Sequence, residues 1–260
     1  MFPRPTEPSK TTLRLAFLVV LSCTNVVAVA QTLRPLNDSG ISFCGTAQSV
    51  NNSPCSGTEP PGQDAQYGRD AQAAFGHLDK SGGGEGGFDF TALDAAGRPI
   101  APSSGASPHP CVKDNVTGLV WEVKTADAGL RDQNWVYTWF DSVHNYGHSA
   151  GAASGTTSCR TVGRCDTEKY VADVNATALC GYTDWRMPTR QELQSIVHAG
   201  RKLPAIDTTY FPNTPSSFFW SGSPLANNPE GAWGVYFDVG GTSYVVRSDS
   251  HFVRLVRGGQ

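Results

Sequence analysis

The sequence lacks the patterns that would announce a familiar catalyst or metal protein. There is no Cys-x-x-Cys pair, and no histidine sits at ligand spacing from a cysteine, which argues against structural zinc. No Gly-x-Ser-x-Gly elbow, His-Glu-x-x-His motif or phosphate-binding glycine loop occurs, so serine hydrolysis, zinc proteolysis and P-loop chemistry have no candidate residues. Basic residues nowhere form the clustered positive face that nucleic-acid binding needs. No internal repeat is visible, and no apolar run reaches the roughly 20 residues of a spanning helix. No enzyme activity, cofactor, metal or transmembrane segment is therefore expected.

The longest apolar stretch is Leu15 to Leu21. Arg4, Lys10 and Arg14 precede it and Ala28-Val29-Ala30 follows, the layout of a signal peptide cleaved before Gln31. Ser22, Thr24 and Asn25 break the run too early for a membrane anchor. Val20-Leu21-Ser22-Cys23 loosely resembles a lipobox, but Leu21 is bulky where such motifs carry a small residue. The expected destination is secreted, periplasmic or cell-surface. The chain has 20 basic and 23 acidic residues; setting aside Arg4, Lys10, Arg14 and Glu7 leaves 17 against 22, a mature charge near −5. A polyanion would have to meet a local patch rather than the global field.

Six cysteines remain after residue 30: Cys44, Cys55, Cys111, Cys159, Cys165 and Cys180. Six thiols allow fifteen pairings, and in an oxidising compartment they are expected to be paired. The proposed set is Cys44 with Cys55 and Cys159 with Cys165 as local loops, and Cys111 with Cys180 as the long staple.

Residues 31–110 read as a small extension: a Cys44–Cys55 loop ending in Pro60-Pro61-Gly62, a strand at Phe88 to Leu93, a turn at Asp94 to Gly97, and flexible linkers at 82–87 and 101–110. From Cys111 onward the expected elements are a strand at Leu119 to Val123, a helical turn at Tyr137 to His144, and a helix from Lys169 to Leu179. A second helix should start at the capping box Thr189-Arg190-Gln191-Glu192 and run to Ala199. Strands follow at Phe218 to Ser221, Trp233 to Asp238, Thr242 to Arg247 and His251 to Arg257, with Gly240-Gly241 as a turn. Trp233, Val235 and Phe237 should share the buried face. Two helices and a twisted antiparallel sheet define an α+β domain.

Four motifs recur in a fixed order: Asp114-Asn115-Val116-Thr117-Gly118-Leu119-Val120-Trp121-Glu122, Cys180-Gly181-Tyr182-Thr183-Asp184-Trp185-Arg186-Met187-Pro188-Thr189, Phe211-Pro212-Asn213-Thr214-Pro215, and the closing Phe252-Val253-Arg254-Leu255-Val256-Arg257-Gly258-Gly259. With these motifs, residues 111–260 resemble the Legionella collagen-like protein C-terminal domain (Lcl C-terminal domain) family. The resemblance implies a C-type-lectin-like fold, with helices flanking the sheet and a long loop carrying the ligand site. It also implies a secreted or surface-exposed binding module acting in adhesion or extracellular glycan recognition. One relative binds sulfated glycosaminoglycans as a trimer, so a glycan or a surface protein is the expected partner and a homo-trimer the implied assembly. An envelope protein that binds a protein partner and no sugar is the alternative. The closing run is also similar to the end of formylglycine-generating enzymes, but those need a late cysteine pair, and no cysteine follows Cys180.

The long loop Ser221 to Gly231 is the expected recognition element, with Asn227, Asn228 and Glu230 as oxygen donors. Calcium-dependent lectins carry Glu-Pro-Asn and Trp-Asn-Asp; here Asn228-Pro229-Glu230 is reversed and Trp220 is followed by Ser221-Gly222, which weighs against calcium. Tyr236 and Tyr244 are candidates for stacking on a sugar, although sheet aromatics usually pack. Arg247, Arg254 and Arg257 with His251 are a candidate anion patch, but a spacing of three splits Arg254 from Arg257 on a regular strand. Asp184, Trp185 and Arg186 read better as a packed, paired structural unit than as a binding trio.

Overall fold

Phe88, Phe90 and Ala92 recur with the strand period, and all three side chains are buried in one apolar cluster. The computed structural model describes residues 37–48, 50–143, 151–153 and 157–258. The expected signal peptide, its cleavage site, Cys23 and His144 lie outside the described residues.

In chain order the described elements begin with β1 (Cys44–Gly45), β2 (Asn51–Asn52), α1 (Gly68–Ala74), β3 (Phe90–Leu93) and β4 (Pro99–Ile100). They continue with β5 (Cys111–Asp114), β6 (Val120–Glu122), α2 (Thr167–Ala176) and α3 (Arg190–Gln194). The last are β7 (Phe218–Pro224), β8 (Gly231–Tyr236), β9 (Thr242–Val246) and β10 (Val256–Arg257). β1 pairs with β2; one antiparallel sheet runs β10-β6-β5-β3-β4 and another β7-β8-β9. The architecture is mixed helix and sheet, closed by disulfides Cys44–Cys55, Cys111–Cys180 and Cys159–Cys165.

The described part of the extension packs onto the C-terminal portion of the chain. β3 hydrogen-bonds along its whole length to β5, and the Ala199 amide donates to the Ser39 carbonyl at 2.7 Å. β7 is buried on both faces: Phe219 joins Trp121, Leu193, Val235 and Phe237 in one cluster, while Phe218 and Trp220 join Tyr137, Trp139, Tyr170 and Trp185 in the other.

Several expected elements differ. Tyr137 to Phe140 is extended, bridged at Tyr137 to His251 and at Thr138 to Asp166, because the period of two at Tyr137 and Trp139 aims both rings into the core. The first long helix starts two residues early, where the Asp166 carboxylate accepts from the Lys169 amide at 2.9 Å, and it stops at Ala176 before Ala178 turns left-handed at φ 49°. The capping box at Thr189 and Glu192 forms, yet that helix ends at Gln194 rather than Ala199. There the Ser195 hydroxyl donates to the Glu192 carbonyl at 2.7 Å and the His198 amide turns to Ala205.

The closing strand is short for a related reason: the Leu255 amide donates to the Glu122 carboxylate at 2.9 Å instead of to a neighbouring strand, leaving only Val256–Arg257 as ladder. Trp233 is half-buried while Val235 and Phe237 are buried. The long loop expected from Ser221 to Gly231 is shorter: β7 runs through Pro224, and six residues, 225–230, separate it from β8.

Candidate functional site

The β8–β9 hairpin carries the most chemically suggestive surface. Gly240, at φ +82°, closes the turn in a conformation that a side chain would strain, and the resulting register sets Trp233 opposite Tyr244. Their rings meet edge to face at 5.6 Å. Arg190, the first residue of α3, lays its guanidinium 4.7 Å over Trp233. The start of α3 is fixed by its capping box and by Arg186, which grips Glu192 through two bonds of 2.7 and 2.8 Å. Tyr244 remains 53% exposed. An exposed ring, a half-buried ring and a guanidinium thus form a strip on a rigid sheet, able to pack an apolar ring face and donate hydrogen bonds beside it.

Of the residues expected to bind ligand, only Tyr244 lies on this strip. Tyr236, an odd number of residues from Trp233 on the same strand, faces the other way and packs on Phe218 at 4.8 Å. Asn228 closes the 225–230 turn: its Oδ1 accepts from the Glu230 amide at 3.0 Å and its carbonyl accepts from the Gly231 amide at 3.1 Å. Asn227 and Glu230 are exposed on that turn. Arg247 is buried, stacked 4.1 Å from Trp139 with its Nε donating to the Gly231 carbonyl at 3.0 Å, so it fastens the hairpin and offers no anion site.

The other arginines of the expected patch go elsewhere. Arg254 is fully buried, and Arg257 pairs with Asp184 over the Tyr182 ring. Trp185 is buried and donates to the Leu179 carbonyl at 3.1 Å, but Asp184 and Arg186 do not pair with each other; Arg186 takes Glu192. Sequence reasoning missed Trp233 and Arg190: the turn spans residues 237–240 with Gly241 already opposite Tyr236, so the adjacent glycines mark the turn without disclosing the register that sets Trp233 against Tyr244.

Beneath the sheets lies a polar centre closed to solvent. Glu122 accepts from Lys124 Nζ at 3.0 Å, from the Leu255 amide and, at short range, from the Tyr170 hydroxyl, which itself accepts from Lys124 at 2.9 Å. Arg254 donates to Thr214 Oγ1 at 2.7 Å and stacks 4.9 Å from Phe211. Burial pushes Lys124 and Arg254 down, Arg254 to about 10, and pushes the Tyr170 hydroxyl well up. A groove of about 350 Å³ beside Cys180 has its charges already engaged: Asp127 accepts from Thr125 at 2.7 Å and from the Gly129 amide at 2.8 Å, and Arg131 donates to the Pro110 carbonyl at 3.2 Å.

A family model, the Lcl C-terminal domain, matches residues 110–257. The chain belongs to the Lcl C-terminal domain family. No curated protein and no solved structure matches the chain. The matched stretch of the Lcl C-terminal domain contains the whole strip and all of the buried centre. Among the described residues no helix is long and apolar enough to cross a membrane.

Ahead of the Lcl C-terminal domain, Asp38, Asp64 and Asp70 bring carboxylate oxygens within 4.8 Å of one another. They are occupied by the chain itself: Asp38 accepts from the Asp70 amide at 2.7 Å, Asp70 from the Gly40 amide at 2.7 Å, and Asp64 from the Ser39 hydroxyl. Desolvation holds Asp70 above the usual carboxylate range, helped by the charge of Asp38. The cluster anchors the N-terminal segment.

His198 lies next to this segment, 97% shielded, with its Nε2 3.2 Å from Glu85. Burial lowers the pKa of His198, and likewise of His109 and His251, below the ordinary 6.5. Below that value the unfolded chain takes up protons that the folded chain refuses, so the histidine contribution to stability is present above about pH 6.5 and is lost as pH falls. The urea midpoint is therefore expected to drop between pH 7.5 and pH 5.5, and to drop less in His198→Gln. An unchanged midpoint across that range would refute the histidine effect.

Proposed function

We propose that this member of the Lcl C-terminal domain family is a secreted or surface-exposed, non-catalytic binding module whose Trp233–Tyr244–Arg190 strip recognises an extracellular glycan. The exposure of Tyr244 beside Trp233, under the Arg190 guanidinium, is the observation that carries it. The C–H face of a pyranose packs on an aromatic ring, and its hydroxyls or sulfates accept from a neighbouring guanidinium. Three disulfides suit an oxidising compartment. Export by cleavage after Ala30, with a lipid anchor at Cys23 as the less favoured route, is part of this reading, as is a C-type-lectin-like arrangement of two helices and antiparallel sheets.

A glycan array read with and without a calcium chelator tests the proposal. Binding should resist chelation, weaken with salt because a guanidinium takes part, and fall about tenfold in Tyr244→Ala, the effect of losing about 1.4 kcal/mol. Chelator-sensitive binding would move recognition to the 225–230 turn and its exposed Asn227 and Glu230. Silence on the array would favour the protein-partner alternative.

A further inference from the structure

Sheet edges are usually protected, and among the described residues all but one of the longer edges are. The five-stranded sheet ends in two-residue strands, β10 and β4, and β4 contains Pro99. The outer edge of β7 is covered by Phe252, whose carbonyl accepts from the Trp220 amide at 2.9 Å and whose amide donates to Phe218 at 3.2 Å. β9 has neither protection. Its five residues, Thr-Ser-Tyr-Val-Val, contain no charge and no proline, pair with β8 in unbroken register, and meet no other described strand.

Hydrogen bonds at both ends of the ladder fix which groups point outward. The Tyr236 amide donates to Gly241 and the Arg247 amide to Glu230, each at 2.8 Å, so the residues of β9 that bond inward to β8 are Ser243 and Val245. Thr242, Tyr244 and Val246 therefore turn their N–H and C=O groups away from the sheet, and of these the Val246 carbonyl already accepts from the Asp249 amide at 3.0 Å in the turn that follows. The side chains of this edge are apolar and open: Tyr244 is 53% exposed, Val246 48% and Val239 at the turn 65%. An uncharged, β-branched, uncovered edge is a template for another strand.

We propose that β9 docks against β9 of a second copy of this chain, antiparallel and two-fold, centred on Tyr244. In that register Thr242 lies opposite Val246 of the partner subunit and Tyr244 opposite its own copy, so the Tyr244 amide and carbonyl meet those of its copy and the Val246 amide meets the Thr242 carbonyl of the partner subunit, while the Thr242 amide shares the Val246 carbonyl with Asp249. The strand brings no charge to the pair, so two copies meet without the like-charge repulsion that disfavours self-association. The two sheets become one of six strands, and the two Trp233–Tyr244 strips form a continuous surface. Five residues of edge and a few apolar side chains bury on the order of a few hundred Å² per subunit, below the roughly 800 Å² of a standard interface. The dimer is accordingly weak, in the micromolar range or above, and is populated where the chain is concentrated or displayed at high density.

Sedimentation velocity of the purified chain from about 1 µM to about 1 mM should show a monomer–dimer equilibrium, and hydrogen exchange at the top concentration should slow the amides of Thr242, Tyr244 and Val246 and leave other exposed amides unchanged. Val246→Lys, a change on the solvent side of β9, should weaken association at least tenfold with the melting temperature unaltered. Tyr244→Cys should oxidise to a covalent dimer, since opposed residues in a hydrogen-bonded pair lie about 5.5 Å apart at Cα, within disulfide reach; Val246→Cys should not. A monomer at every concentration, a trimer, indifference to Val246→Lys, or equal cross-linking at 244 and 246 would each overturn the proposal. Glycan binding by Val246→Lys reports separately on the strip: binding kept while the dimer is lost leaves the glycan reading standing.

Discussion

Glu122→Gln is expected to destabilise the fold by about 3–5 kcal/mol, the usual cost of leaving a buried charge without its partner. One carboxylate serves the Lys124 ammonium, the Tyr170 hydroxyl and the Leu255 amide, and all of these groups are sealed from water. The amide that replaces it has one acceptor oxygen in place of two and adds donors where the site already has a surplus. Lys124→Met should cost less, because Glu122 keeps its bonds from Tyr170 and Leu255. The double variant Glu122→Leu, Lys124→Met should fall between the singles rather than at their sum, since it removes both charges together. Urea unfolding, with the slope checked for constancy, gives the four values. A loss below about 1 kcal/mol in Glu122→Gln would mean that the ammonium is already neutral in the folded chain.

This centre also explains what the sequence did and did not disclose. Local devices were legible: the Thr189–Glu192 box, the Gly240 turn, and the disulfides whose cysteines lie 6 and 11 residues apart all depend on chemistry within a few positions. So was the α+β character. Elements decided by distant partners were not. Tyr137 to Phe140 reads as a helical turn until His251 and Asp166 are placed beside it, and the strand expected at His251 to Arg257 breaks up because a carboxylate some 133 positions away takes its amide.

The proposed binding surface followed the same division. Tyr244 was identifiable from composition, but its partner Trp233 requires the hairpin register and Arg190 requires the docking of α3 on β8. Arg247 shows the converse: a lone charge at the end of an exposed strand reads as a ligand contact, and only the presence of Trp139 beneath it turns it into a fastener. The loop expected to bind shrank to six residues because β7, after an irregularity beyond Trp220, pairs again with β8 at Pro224 and Ala232, a long-range choice that turn residues at 226–229 could not signal.

Removing Cys111–Cys180 should be the most costly of the three disulfide deletions. The bridge joins residues 69 apart, against 11 for Cys44–Cys55 and 6 for Cys159–Cys165. If the main effect is to restrict the unfolded chain, those separations correspond to about 4, about 3 and about 2.5 kcal/mol. Location widens the gap. Cys111 sits in β5 opposite Glu122, so the staple holds the strand that frames the buried carboxylate. Cys180 and Ala178 both occupy left-handed backbone, at φ 54° and 49°, which non-glycine residues adopt at a cost and keep only where the surroundings impose it. Without the bridge that turn has less to impose it, and the buried Trp185 that follows loses its fixed approach to the core. For a folded unit of this size, about 4 kcal/mol lowers the melting temperature by roughly 8–16 °C. Paired Cys→Ala variants compared by calorimetry would show it: equal shifts for all three pairs would rule out both loop length and the left-handed turn as the deciding factors, whereas a shift for Cys111→Ala, Cys180→Ala well beyond the loop-length value would assign the excess to the turn at Ala178–Gly181.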